Sequence, residues 1–519
     1  MPNTLLLSGR PAAGSSPELA PAAPGPADLT PTRHTGWLAL LPALAAAVAG
    51  FRGLADRQMW NNEYATWHAV TLDLRDLGHL LSNTDLVHVA YLMLLRVWTQ
   101  VAGDDPLALR LPSLIAMTVA AAMTTLIGRR LAGTGAGLIA GLLFALVPAV
   151  TRYAQEARSY ALVTMGVTVS TLLLLRALQR PVRRRWLLYA LAVALTGWLH
   201  FVSLLVLAAH LLIVWRATAD ADDNRRYQWF GYVGGAGLAI VPLLTVASAQ
   251  SASISWIKAD GAAVLHFPGD LFLSVRGMAA VVGLAAVGAL VAWRTGNRML
   301  PALLTWVLLP PVFAYLTFKA LHLFLPRYVL FTLPAWAILA AVGACSVTRL
   351  LPRSTAAWSW LLPALLVLPA FAYLTEPDQR IVRASPVQGQ PDYRGAIDAM
   401  RQGMKPGDGV AYNDVFGQLS DLAREAVDYE MRNDTQPRDV FLNETSVARG
   451  SYSASECEDK DSAACLRDTE RIWLICTNYS PDPFDGLSPQ RAALLRGFAV
   501  VEEKKFDRVR LVLLERKPA

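Results

Sequence analysis

Apolar stretches recur along the first part of the chain, at 36–53, 109–128, 133–151, 158–178, 186–199, 201–216, 228–248, 270–293, 299–318, 328–347 and 356–375. Most run to about 17–22 residues, the length that carries a helix across about 30 Å of hydrocarbon. The pattern therefore predicts a mainly α polytopic membrane bundle of roughly eleven spans. The two stretches flanking His200 are short for full crossings and suit a re-entrant pair equally well, and either choice preserves the parity of the later spans. Beyond residue 375 the apolar runs stop. The segment 376–519 alternates β-rich runs (409–412, 439–442, 471–477, 498–501, 508–514) with helix-like ones (393–403, 488–497), which predicts a small α/β domain. Residues 1–35 are rich in Pro, Ala, Ser and Gly and read as a disordered cytoplasmic tail, not as a cleaved signal peptide.

The stretch 88–101 is also apolar, but it is short and Arg96 interrupts it, so it is expected to lie along the membrane surface as an amphipathic helix. With that choice Arg129, Arg130, Arg180, Arg183 to Arg185, Arg216, Arg225, Arg226, Arg294, Arg298, Arg349 and Arg353 all fall on one side, which the positive-inside rule makes the cytoplasm. The N-terminus is then inside, and the 376–519 domain outside the plasma membrane. The 54–108 segment becomes a long first outer loop, and long loops carry function more often than short ones. The formal charge of +7 is explained by these connections, so no nucleic-acid partner is expected. A chain that is 54% hydrophobic and 17% charged needs membrane lipid as its surroundings. Arg-rich, Lys-poor and Ala-rich usage points to a GC-rich bacterial genome. The four cysteines have no metal-binding spacing, Cys457 and Cys465 could close a small disulfide in an extracytoplasmic domain, and Cys345 and Cys476 read as packed.

Several ionisable residues at span boundaries fall on the outer side: Glu63, Asp85, His88, Glu156, Arg158, His200, Lys258, His322 and Arg327 with Tyr328. Each is costly beside hydrocarbon without a partner or a wet cavity. Such a set suits displacement of a phosphate from an anomeric carbon, where one carboxylate takes the acceptor proton and cations hold the phosphate. Glu63 is the candidate base, with a solvated loop carboxylate as the alternative. Arg158 and Arg327 could each chelate a phosphate or simply snorkel to headgroups. His88 could meet an acceptor hydroxyl or cap a helix, and Lys258 beside Trp256 could anchor a headgroup.

Five landmarks in order make a recognisable series: Trp60-Asn61-Asn62-Glu63-Tyr64-Ala65-Thr66, Asp85-Leu86-Val87-His88-Val89-Ala90-Tyr91, Leu109-Arg110-Leu111-Pro112-Ser113, Gln155-Glu156-Ala157-Arg158-Ser159-Tyr160 and Pro326-Arg327-Tyr328. Over 36–375 the chain resembles the bacterial family 39 glycosyltransferases and their protein-O-mannosyltransferase relatives, which share the GT-C fold. The resemblance implies a polyprenyl-phosphate sugar donor, mannose favoured, an extracytoplasmic acceptor, inversion at the anomeric carbon and a site built on the first outer loop. It also implies Glu63 as catalytic base and Asn62, Asp85, His88, Tyr91, Glu156, Arg158, Tyr160, Arg327 and Tyr328 as substrate-binding residues. No cofactor or metal ligand set is expected, although a divalent metal remains compatible. Where the family has Asp-Glu, this chain has Asn62-Glu63, so the base is Glu63 or another carboxylate such as Asp56 or Asp85. Two further readings are a relative that binds a polyprenyl lipid or a cell-wall polymer without catalysis, and a transporter or flippase. The latter predicts charges at span centres and repeated halves, whereas here the charges sit mainly at span ends.

Overall fold

The computed structural model describes residues 36–219, 224–250, 257, 259–346, 361–386, 389–413, 420–477 and 480–517. The 1–35 tail, Lys258 and the first residues of the last expected span lie outside the described residues. The described part opens with α1 (Leu40–Phe51), and then come three short helices of the 54–108 loop: α2 (Asn61–Thr71), α3 (Leu74–Asn83) and α4 (Val89–Ala102). The bundle continues with α5 (Pro106–Ala132), α6 (Thr134–Leu146), α7 (Pro148–Ala154), α8 (Tyr160–Gln179), α9 (Arg183–Leu199), α10 (Val206–Ala217) and α11 (Arg225–Ala249). It closes with α12 (Gly261–Phe272), α13 (Val275–Arg294), α14 (Leu300–Leu316), the single turn α15 (Phe318–Leu321), α16 (Leu333–Ser346) and α17 (Leu361–Arg383).

Among the described residues five helical segments are long and apolar enough to cross a membrane, or six if α6 and α7 form one bent span. The expected run of uninterrupted spans is corrected at three places. The 133–151 stretch bends by 63° between α6 and α7, where Pro148 cannot donate a backbone hydrogen bond. The 270–293 stretch breaks at Leu273, which takes a left-handed conformation between α12 and α13. The 328–347 stretch begins as a 3-10 turn at Pro326–Thr332 before α16 starts. Hydropathy does not register them because Val147, Leu273 and Val329 to Phe331, where the backbone turns, are as apolar as the helices around them. The break at His200 separates α9 from a 3-10 turn, Phe201–Leu205, that leads into α10. Irregular backbone of this kind is tolerated at membrane depth only where protein or a wet cavity surrounds it, so the breaks mark where a site can form.

Small residues let the helices approach closely. A Cβ built on Gly288 of α13 would lie 2.0 Å from the Leu339 carbonyl oxygen of α16, and one on Gly343 of α16 would lie 2.0 Å from that of Leu284. Backbone thus meets backbone with no room for a side chain, as in membrane helix pairs generally.

The C-terminal part comprises α18 (Tyr393–Gly403), β1 (Gly409–Asn413), α19 (Ser420–Glu430), β2 (Arg438–Asp439), β3 (Leu442–Glu444), α20 (Ser446–Arg449), β4 (Ser455–Glu456), α21 (Ser462–Leu466), β5 (Arg471–Cys476), α22 (Pro489–Arg496), β6 (Phe498–Phe506) and β7 (Val509–Arg516). The sheet order is β2-β1-β5-β7-β6, with β2, β1 and β5 parallel and β7 and β6 antiparallel. Central β5 is buried on both faces, as its apolar run Ile472-Trp473-Leu474-Ile475 requires. A disulfide joins Cys457 to Cys465, while Cys476 is buried and free.

This domain is bolted to the 54–108 loop. Tyr64 on α2 donates to Glu430 on α19 at 2.9 Å, and Trp67 meets Tyr429 edge-on at 5.1 Å. Gln58 donates to the Pro391 carbonyl at 2.9 Å, and Asn83 donates to the Gly450 carbonyl at 3.1 Å.

Candidate active site

The motif around Trp60 forms the start of α2 because Glu63, at the third helical position, accepts the Trp60 backbone N–H at 3.4 Å. The same carboxylate turns inward and is saturated. Arg110 of α5 grips it with Nε and Nη2, both at 2.8 Å, the Ala157 N–H donates at 2.9 Å, and Arg57 lies at 3.7 Å. Arg110 spends its remaining donors on the Leu54, Arg57 and Gln58 carbonyls. Glu63 and Arg110 are both fully buried. Burial alone would raise the Glu63 carboxyl, but the charge and hydrogen bonds of Arg110, with Arg57 and Arg152 behind it, outweigh that and hold it at about 2. Both Glu63 oxygens are thus engaged by Arg110, unlike the open acceptor that the base role expected of Glu63 calls for. Glu63 thereby staples the 54–108 loop to α5 and to the turn before α8.

That turn, 155–159, carries Glu156. Arg152, one helical turn earlier, pairs with Glu156 Oε2 at 3.0 Å, and Oε1 is buried with no hydrogen-bond partner among the described residues. Burial raises the Glu156 carboxyl, reinforced by the Glu63 charge and opposed by Arg152 and Arg327. Glu156 lines a cavity of about 460 Å³ together with Trp60, Arg152, Tyr153 and Arg327. Ser274 and Asp378, joined by a 2.5 Å hydrogen bond, also line it. Arg152 and Arg327 lie over the Trp60 ring at 5.1 and 5.8 Å from its centroid, so the indole holds both guanidiniums at the cavity. An apolar hollow of about 170 Å³, lined by Phe267, Phe324, Leu325 and Pro326, shares Asp270 with this cavity.

The other expected residues gather beside it. Tyr160 and Tyr328 stand 6.2 Å apart, with His200 4.7 Å from Tyr328. Burial, with His88, Arg158 and Arg327 nearby, holds the His200 imidazole down at about 3, hence neutral. Asp85 and His88 are paired at 2.8 Å through Nδ1, and Arg158 reaches Thr66 at 3.3 Å. Arg158 therefore does not share the cavity wall with Arg327; Arg152 does. Asn62 is half-buried on the first turn of α2, where its carbonyl accepts the Thr66 hydroxyl at 2.8 Å, away from the cavity wall. His322 lies in a left-handed turn after α15. Among the described residues no three His, Cys, Asp or Glu side chains converge as a metal cage would require.

Sequence reasoning overlooked Arg152, Arg57, Arg110, Asp378 and Tyr452. Arg152 had a signal, its i,i+4 spacing to Glu156 on the approach to a span. Arg110 stood inside a quoted motif with no role attached. Asp378 and Tyr452 reach the site only through tertiary structure.

The fold is similar to that of GT-C membrane glycosyltransferases. More particularly, residues 89–248 match the family described as dolichyl-phosphate-mannose-protein mannosyltransferase. No curated protein matches the chain in sequence. Among solved structures, ArnT from Cupriavidus metallidurans bound to undecaprenyl phosphate is 14% identical with a TM-score of 0.58, over 94% of this chain and 100% of that one. Its apo state is similar at 14% identity and a TM-score of 0.59, over 93% of this chain and 99% of that one. The Archaeoglobus fulgidus oligosaccharyltransferase in complex with Zn and sulfate is 10% identical with a TM-score of 0.50, over 84% of this chain and 67% of that one. At these identities the likeness is one of fold.

Proposed function

We propose that this protein transfers a sugar, mannose favoured, from a polyprenyl-phosphate donor to an extracytoplasmic acceptor with inversion. The observation that carries the reading is the juxtaposition of a cavity holding Arg152, Arg327 and Glu156 with an apolar hollow. An anionic head on an apolar chain has complementary surroundings in both. The family resemblance and the undecaprenyl phosphate bound to ArnT support the same choice.

In this reading Arg152 and Arg327 hold the donor phosphate. The acceptor oxygen attacks the anomeric carbon from the face opposite the phosphate, the carbon–oxygen bond to phosphate breaks, and its electron pair stays on the lipid phosphate. Glu156 takes the acceptor proton on Oε1. Asn62 in place of an acid is compatible with this because the proton acceptor lies elsewhere.

The outer location is argued from charge. Tyr160, at the site, and Gln179 are the two ends of α8, about 30 Å apart at 1.5 Å per residue. Near the Gln179 end Arg185 donates to the Arg176 carbonyl and Arg225 to the Leu178 carbonyl, an arginine-rich rim suited to the cytoplasmic face. The Cys457–Cys465 disulfide suits an oxidising compartment for the other side.

Two measurements test this. Membranes containing the protein should consume radiolabelled polyprenyl-phosphate mannose, and absence of consumption with any polyprenyl-phosphate sugar would remove the donor assignment. For topology, cysteines replacing the exposed Arg75 and Lys505 should react with an impermeant thiol reagent in intact cells, and one replacing the exposed Arg184 only after permeabilisation. The reverse pattern would invert the protein.

A further inference from the structure

A second buried polar cluster adjoins Tyr160 and Tyr328, and holding the phosphate makes no use of it. Asp85 adopts a left-handed conformation, φ 62°, that aims its carboxylate at His88 Nδ1, 2.8 Å away. The other carboxylate oxygen accepts the Tyr452 hydroxyl at 3.2 Å, and Tyr452 belongs to the C-terminal domain. Burial alone would raise the Asp85 carboxyl, but His88, Arg158 and Tyr452 together hold it well below the usual carboxylate range. Asp85 is therefore an acceptor for the Nδ1–H of His88, which leaves Nε2 of the same ring for a further partner.

That Nε2 atom has no partner among the described residues, and neither do Tyr91 Oη, Arg158 Nε, Ser159 Oγ or His200 Nδ1. His88 and Arg158 are each 8% exposed, and Tyr91 and Ser159 are fully buried. Arg158 is in electrostatic reach of Asp85, Tyr160, Tyr452 and Glu156, and His200 of His88 and Arg158, so these groups form one neighbourhood. Native proteins seldom leave several buried donors and acceptors unmatched in one place without a ligand or water to serve them. The mixture here, an imidazole nitrogen, hydroxyls that both give and take, and a guanidinium donor in electrostatic reach of Tyr160 and Tyr452, complements a ring bearing adjacent hydroxyls and an apolar face.

We propose that this cluster is a subsite for the hydroxyl-bearing ring of a sugar, and that the C-terminal domain supplies one of its positioning residues, Tyr452. The assignment rests on the polyprenyl-phosphate reading above. It gives the domain a part in substrate recognition: the Tyr452 hydroxyl fixes Asp85, Asp85 fixes the ring of His88, and His88 meets the sugar. Asn83 bound to the Gly450 carbonyl and the contact of Tyr452 with His68, 6.4 Å between ring centroids, hold the same junction from either side.

The test compares two probes, polyprenyl phosphate without sugar and polyprenyl-phosphate mannose, by thermal stabilisation of the full chain in lipid nanodiscs. The variants are His88→Gln and Tyr452→Phe, the second keeping the packed ring and deleting only the hydroxyl. Both should bind the bare lipid phosphate within about twofold of wild type. The mannosyl lipid should bind about tenfold more weakly to His88→Gln, the size of one lost hydrogen bond to a buried group, and about threefold more weakly to Tyr452→Phe. A merely structural role would weaken both lipids together. If the mannosyl lipid binds normally and is hydrolysed normally by water, yet transfer to the endogenous membrane acceptor falls, the ring in the subsite is the acceptor's. Unchanged binding and unchanged transfer in both variants would overturn the subsite. Failure of wild type to bind even the bare lipid phosphate would instead overturn the donor reading, and the subsite with it.

Discussion

Glu156→Gln should lower turnover by about 10²-fold or more, the usual size for loss of a general base, with lipid phosphate bound at least as well as before. The replacement keeps the length of the side chain and an oxygen that Arg152 can still donate to, so the turn before α8 should survive. It deletes the oxygen that has no partner, Oε1, as a proton acceptor. It also removes a negative charge from a cavity in which Arg152 and Arg327 await an anion, which can only favour the phosphate. The pH profile gives a second readout. A base works deprotonated, and burial raises the Glu156 carboxyl, so wild-type activity should fall on the acid side at a pH above the ordinary carboxylate range. The residual activity of the variant should lack that limb. Near-normal turnover in Glu156→Gln would take the proton away from Glu156 and leave it as a partner of Arg152.

Arg110→Ala should be among the most destabilising single changes in the protein, by about 3–5 kcal/mol, because it leaves a buried carboxylate without its main cation. Glu63 is fully buried, and both of its oxygens depend on Arg110. Glu63→Gln should destabilise by less, since the amide oxygen still accepts one bond from Arg110, and the double variant should cost less than the sum of the two singles. Thermal unfolding in nanodiscs measures all three. Activity per folded molecule separates the two acids: Glu63→Gln should retain far more turnover than Glu156→Gln. The opposite order, with Glu63→Gln stable and inactive, would return the base to the outer-loop motif. Acid pH tests the same pair. A carboxyl held at about 2 stabilises the fold above the ordinary unfolded carboxylate range, and that contribution is lost as the pH falls through that range towards 2.

The sequence by itself determined the membrane class, because long apolar runs admit no other solvent, and it located the change to a sheet-containing domain after the last run. Within that domain α18 fell where expected, at Tyr393–Gly403, and runs such as 471–477 matched β5, because amphipathic and β-branched patterns are local properties. It missed α19, whose Ser420–Glu430 stretch shows a helical stripe only once Ala423, Ala426 and Val427 are known to face a partner. Glu156, Arg327, Tyr160 and Tyr328 were legible as costly polar groups at span ends, and the structure brings them together.

Only the tertiary structure decided which residues share a wall. Glu63 and Glu156 are alike in the sequence, each an acid in a connection between apolar stretches, but one meets a bidentate arginine 47 residues away and the other keeps an oxygen without a hydrogen-bond partner among the described residues. Tyr452 and Asp85 are separated by 367 residues and come within hydrogen-bond distance because the C-terminal domain packs on the 54–108 loop. The character of a buried acid is set by the charges around it in space, and the chain order that brings those charges together carries no local periodicity to read.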